Sequence, residues 1–251
     1  MKLIRISFLL MLFVVAAFYT KSQRLATTSW VEPLIVSIYP INVDQRDDTA
    51  RYIQSLTASD FSEINDFFID QWSLYSGLDF TPFDVKLRQA ISSQPPKPPS
   101  NDNLFSIAFW SIRIRFWAFR QVADDTSKTI NVFIRYHQPN ENEPIAHSLG
   151  LQKGLIGVVN GYAGESFQAR NNVVIAHEIL HTVGASDKYD LASGQPIFPQ
   201  GFAQPDKQFK QKKAVLMAAK IPLSSTESLM PASLKNCIIS VETATEITWI
   251  E

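Results

Sequence analysis

Residues 171–190 read Asn171-Asn172-Val173-Val174-Ile175-Ala176-His177-Glu178-Ile179-Leu180-His181-Thr182-Val183-Gly184-Ala185-Ser186-Asp187-Lys188-Tyr189-Asp190. The apolar run predicts a helix over 173–183, with Asn171/Asn172 as caps and Gly184 as the turn that ends it. On such a helix His177 and His181 stand about 40° apart around the axis and one turn apart along it. Both imidazoles can therefore reach one ion. Neutral imidazole nitrogens suit zinc, at roughly 2.0–2.1 Å. Glu178 lies beside the first histidine, where a carboxylate can take a proton from water at the ion. After Gly184 turns the chain, Asp187 is placed to swing back as a third ligand. Three protein ligands with one open position is the catalytic form of a zinc site, not the structural one. With 4 His in 251 residues, this five-residue pattern arises by chance only a fraction of one percent of the time. Two unrelated helix histidines are therefore the weaker reading.

These residues resemble the signature of the metzincin clan of zinc metallopeptidases, H-E-x-x-H-x-x-G-x-x-H/D. The version ending in Asp is similar to the snapalysin type. The resemblance implies Zn2+ held by His177, His181 and Asp187, with Glu178 as general base for peptide-bond hydrolysis. It also implies a methionine in a tight turn beneath the metal. By position this falls on Met217, with Met230 second; ordinary core packing is the plainer reading of Met217. Tyr189 is a candidate oxyanion donor or a packing residue, and Asp190 either orients a ligand or forms a turn. The clan implies an α+β fold: a twisted, mixed and mostly parallel sheet with an antiparallel edge strand, packed on helices that include the zinc-binding one. An irregular C-terminal subdomain ending in a helix completes it. In that clan the strand before the metal helix is an edge that pairs with extended substrate. Gly154–Ala163 takes that place here, so a peptide or protein substrate is expected along it.

Outward from this motif, Leu34–Ile41, Phe83–Ile91 and Thr129–Tyr136 read as strands. Asp47–Leu56 and Ser59–Tyr75 read as helices, with Ser59 and Glu63 near capping-box spacing and Gly77 as a C-cap. Leu104–Phe119 fits either period and is read as a helix capped by Asn101/Asp102. Five of nine glycines lie between Gly150 and Gly164, which suggests close approach of another backbone to that strand. Pro95–Pro99 reads as a stiff surface loop, with a docking segment as the alternative. Val241–Ile250 closes the chain as a helix. His137, His147, the five tryptophans and Cys237 are read as ordinary surface or core residues.

Lys+Arg 23 against Asp+Glu 24 leaves a net charge of −1; no electrostatic footprint for nucleic acid exists. One cysteine excludes an internal disulfide framework and any Cys-rich metal site. The N-terminus carries Lys2 and Arg5, an apolar run over Ile6–Tyr19, then Lys21 and Arg24. Residues 1–24 are accordingly expected to be a membrane anchor or signal segment, placing residues 25–251 outside the cytoplasm as the metallopeptidase domain. Its cleft is expected between about 34–184 and 185–251. Two rival readings remain at this stage. One is a gluzincin-type hydrolase with Glu242 or Glu246 as third ligand. The other is a non-catalytic, zinc-containing, membrane-anchored interaction module.

Overall fold

The computed structural model describes residues 27–77, 79–99, 103–122, 129–139, 148–152 and 154–250, with scattered positions between 5 and 25. Most of the segment expected as anchor or signal, and His147, lie outside the described residues. Among the described residues no helix is long and apolar enough to cross a membrane.

The architecture is α+β. A five-stranded sheet runs in the order β2-β1-β3-β5-β4, built from β1 (Leu34–Asn42), β2 (Phe83–Leu87), β3 (Thr129–His137), β4 (Leu149–Leu151) and β5 (Ile156–Tyr162). The first three and β5 are parallel; β4 alone is antiparallel and forms one edge, with β2 at the other. Parallel strands are covered on both faces, so their residues are apolar on both. The period of two divides them cleanly. Val36, Ile38, Ile130, Val132, Ile134 and Val159 face one layer. Tyr39, Ile41, Phe133, Ile156 and Val158 face the other.

The first layer holds helices α1 (Asp47–Ser55), α2 (Ser62–Ser76) and α4 (Glu165–Val183). The second is α3 (Leu104–Gln121), which buries Trp110, Ile114 and Ala118 on the sheet. Small two-stranded pairings follow: β6 (Ala214–Val215) with β9 (Cys237–Ile238), and β7 (Ile221–Pro222) with β8 (Ser228–Leu229). Helix α5 (Val241–Glu246) closes the chain, capped by Ser240 and shorter than the helix expected over 241–250. This C-terminal stretch sends Ala214, Leu216, Met217, Leu234, Cys237 and Ile239 into the same core as α4. Helix α4 is thus covered by the sheet and by the C-terminal stretch together, and 11 of its 19 residues are buried. Each fully buried aliphatic chain there contributes about 1.5–3 kcal/mol of transfer free energy. The tryptophan reading holds for Trp30, Trp72 and Trp249, which pack as one aromatic cluster. Trp30 also donates its indole N–H to the Ile247 carbonyl at 2.8 Å, tying the segment before β1 to the C-terminal stretch.

Several local expectations are corrected. Asn171 and Asn172 do not cap α4; it begins six residues earlier, at Glu165. Their amides satisfy neighbouring backbone instead: Asn171 exchanges hydrogen bonds with Tyr162, and Asn172 donates to the Asp60 carbonyl at 2.9 Å. A short 3-10 turn, Ala58–Phe61, precedes α2, and its capping box is Thr57 with Asp60. Glu63 instead receives the Leu234 N–H. At α3 the cap is Asn103, which accepts from Phe105 N. β2 stops at Leu87, Ile91 adding only an isolated bridge to Ile41. Finally, the Gly-rich strand β5 is not an edge. It pairs with β3 on one side, and β4 covers Ile156–Val158 on the other.

Gly150 on β4 shows what the glycines are for. A Cβ there would lie 2.5 Å from His181 Cβ and 2.7 Å from the Glu178 carbonyl oxygen. Only a bare α-carbon lets the edge strand approach the helix that carries the histidines. Gly150→Ala is therefore expected to destabilise the protein by about 1–3 kcal/mol through overpacking. The measurement is the urea midpoint, which should fall with an unchanged slope.

Candidate metal centre

Near the C-terminal end of α4, His177 and His181 point their Nε2 atoms at each other, 3.0 Å apart. The chain then leaves the helix at Gly184, which adopts the left-handed conformation at φ 112°. A side chain at this position would also meet Gln152 Nε2 at 2.8 Å. Three residues on, Asp187 Oδ1 lies 3.2 Å from His177 Nε2 and 3.1 Å from His181 Nε2. The three ligand atoms form a nearly equilateral triangle. Tetrahedral coordination with bonds of roughly 2.0–2.1 Å spaces its ligands by about 3.3–3.4 Å, close to the observed edges. The group can hold a metal ion.

The protons decide what this triangle is. His177 Nδ1 lies 2.9 Å from the Leu216 carbonyl oxygen, and His181 Nδ1 lies 2.9 Å from the Ala185 carbonyl oxygen. A carbonyl only accepts, so each neutral ring carries its hydrogen on Nδ1. Both Nε2 atoms then present lone pairs, and they meet a carboxylate oxygen. Asp187 Oδ1 is buried and has no hydrogen-bond donor. Three acceptors without a hydrogen among them repel one another, and a cation relieves this. Protonation is the alternative relief. Burial opposes a charged His181, but the hydrogen bond that the protonated ring would donate to Asp187, and the Glu178 charge, outweigh it and raise its pKa. Asp187 shows the converse. Burial would raise it, but the two imidazoles hold its carboxyl well below the usual range.

Glu178 is buried beside the triangle, and its Oε2 has no hydrogen-bond partner. Burial pushes its pKa up; the imidazoles pull against this and Asp187 adds to it. Together with His177 it faces a cavity of about 680 Å³ whose walls include Val173, Val174, Leu191 and Leu216, with Arg170 at the exposed rim. Tyr189 lines the same cavity, its ring 6.4 Å from that of His177. Burial, then the charges of Asp187 and Glu178, push its phenol up to about 12. It is a neutral donor at physiological pH.

Met217 is fully buried in a short 3-10 turn, Leu216–Ala218. What the turn gives the site is backbone: Leu216 O receives His177 Nδ1, and Met217 O receives Lys188 N at 2.8 Å. Met230 lines the cavity instead. Asp190 forms a turn, accepting from Ser193 N and Oγ. Glu242 is exposed on α5, and Glu246 is engaged elsewhere. Its carboxylate receives Lys188 Nζ at 2.8 and 2.9 Å and Ser186 N at 2.9 Å. Among the described residues, Asp187 and neither of these glutamates joins the two imidazoles. Glu246 instead clamps the residues on both sides of Asp187, a role with no motif to announce it. Outside the site, His137 ends β3 half-buried, its pKa lowered by burial and by Arg135. Cys237 is buried, its thiol pushed up to about 12.

Compared with models of known families and with curated proteins, the chain matches none. The reading of this site therefore stands on its own geometry.

Burial raises the Glu246 carboxyl, but its bonds from Lys188 and Ser186 outweigh that, and the net shift is downward. A depressed folded pKa contributes stability that is complete above the unfolded value of 4.5 and is lost as pH falls through the folded one. Glu246→Gln is thus expected to lower stability at neutral pH and to flatten the acid limb of the stability profile. Urea titrations of both proteins between neutral and acid pH check this.

Proposed function

We propose that this chain is a zinc-dependent endopeptidase of the metzincin type, with His177, His181 and Asp187 as the ligands and Glu178 as general base. The observation that carries the reading is the pair of Nδ1–carbonyl bonds. They turn two lone pairs toward the half-buried Asp187 carboxylate, beside a glutamate whose inner oxygen has no partner. When bound, the ion would supply a Lewis acid that polarises a scissile carbonyl and makes water deprotonable near neutral pH.

The chain's own groups supply the rest. Glu178, raised by burial, is suited to take a proton from the attacking water and return it to the leaving amine. Tyr189 is a neutral donor placed to stabilise negative charge developing on the carbonyl oxygen. The cavity beside Glu178 has the size and apolar walls to take a substrate side chain. The peptide backbone is assigned to the outer edge of β4, a terminal strand of the sheet, in place of the expected Gly154–Ala163 edge. An extended segment would pair there by β-augmentation. The apolar run over 6–19, flanked by basic residues, supports an extracytoplasmic enzyme tethered by its N-terminus.

The wild-type protein is expected to bind one zinc and cleave a broad peptide library, with cleavage lost on chelation and restored by zinc. Glu178→Gln should keep the metal and lose about 10²–10⁴-fold in rate. Asp187→Ala should lose the metal, read by elemental analysis; full zinc occupancy in that variant would sink the ligand assignment. Zinc bound by the wild type without turnover favours the non-catalytic module. Full-length protein in membranes should resist extraction at alkaline pH, and its release there would overturn the tether.

A further inference from the structure

Helix α3 carries an apolar face that no part of the described chain covers. Phe105, Phe109, Ile112, Phe116 and Phe119 are between 62% and 87% exposed. At 100° per residue they fall within an arc of about 80° and run about 21 Å along the helix. The opposite side is accounted for: Trp110, Ile114 and Ala118 pack on Tyr39, Phe133 and Ile156. Soluble monomers rarely expose a contiguous strip of this kind.

The charges around the strip say what would cover it. The helix contains Arg113, Arg115 and Arg120 and no acidic residue, on a chain whose net charge is −1. Arg113 and Arg120 share one flank, their guanidinium carbons 5.9 Å from the Phe109 ring centroid and 5.8 Å from that of Phe116. Neither forms an ion pair with a carboxylate among the described residues. Both line a groove with Ser93, Gln94 and Gln121. Guanidinium heads held beside aromatic rings at the border of an apolar strip, with no carboxylate among the described residues to pair them, are suited to the phosphates of a lipid interface.

We propose that α3 is an interfacial helix that docks the enzyme flat on an anionic membrane. Its Phe/Ile strip enters the acyl boundary, and Arg113 and Arg120 meet lipid phosphates. The contact is separate from the N-terminal tether and does not depend on it. It lies on the sheet face opposite α4, leaving the metal centre turned away from the lipid.

The test uses the full chain carrying Ile112→Cys, labelled with an environment-sensitive fluorophore; Cys237 is buried and should not compete. The protein is reconstituted in vesicles of phosphatidylcholine with or without phosphatidylglycerol, containing lipids brominated near the headgroup. Ser73→Cys, exposed on α2 on the other side of the sheet, serves as the control. The probe at 112 should be quenched in the anionic vesicles and the probe at 73 should not. Adding Arg113→Gln with Arg120→Gln should shift the docking equilibrium about 30-fold toward the undocked form, at about 1 kcal/mol per cation. Equal quenching at 112 and 73, or quenching indifferent to phosphatidylglycerol and to the arginines, would overturn the proposal. So would cross-linking between copies at 112 without quenching, which makes a second copy the occupant. Extraction of the chain at alkaline pH with quenching at 112 retained would reject only the tether.

Discussion

Two hydrogen bonds from imidazole to backbone carbonyl govern this structure's chemistry. His177 Nδ1 to Leu216 O and His181 Nδ1 to Ala185 O fix where each ring keeps its proton. Without them the rings could donate to Asp187 and to each other, and the cluster would be an ordinary polar network. With them, three acceptor atoms converge within 3.2 Å of one another. The site is then a place for positive charge.

Much of the rest of the fold serves to hold those two bonds. The Leu216 carbonyl arrives from nearly forty residues downstream, on a turn whose next carbonyl also holds Lys188. That turn is fixed because the C-terminal stretch packs into the same core as α4. Asp187 is held from both sides, since Ser186 and Lys188 are fastened to one carboxylate, Glu246. Lys188 is itself almost wholly buried. Truncating Glu246 would leave that ammonium without its counter-charge, a heavier loss than a surface pair would be. From the other side, Gly150 allows the edge strand to lie against His181 and Glu178. A sheet edge, a buried helix and a C-terminal turn thus meet at one point, with the cavity between them.

The helix–strand alternation was readable because it rests on local periodicity. Leu34–Asn42, Thr129–His137 and Leu104–Gln121 fall close to where pattern alone puts them. The misreadings share one cause. Asn171 and Asn172 look like caps because their amides suit capping; their partners are Tyr162 and the distant Asp60 carbonyl, invisible in local sequence. Strand β5 is expected as an edge because the resemblance puts one just before the metal helix, whereas its neighbour β4, which takes the edge, has only three residues and leaves almost no pattern. Glu246 looks like a rival ligand because glutamate on a late helix can be one; only the position of Lys188 shows where its charge is spent.

What the sequence determined by itself was the donor set: two imidazoles one turn apart, a carboxylate beside them, a glycine to reverse the chain and an aspartate after it. Those relations span fewer than a dozen residues: helix geometry fixes the spacing of His177, Glu178 and His181, and the Gly184 turn brings Asp187 within reach. Which carbonyls receive the Nδ1 protons, which strand forms the rim and which carboxylate steadies Asp187 were decided by tertiary structure. Backbone carbonyls are the same in every residue and carry no sequence signal, so only packing selects among them.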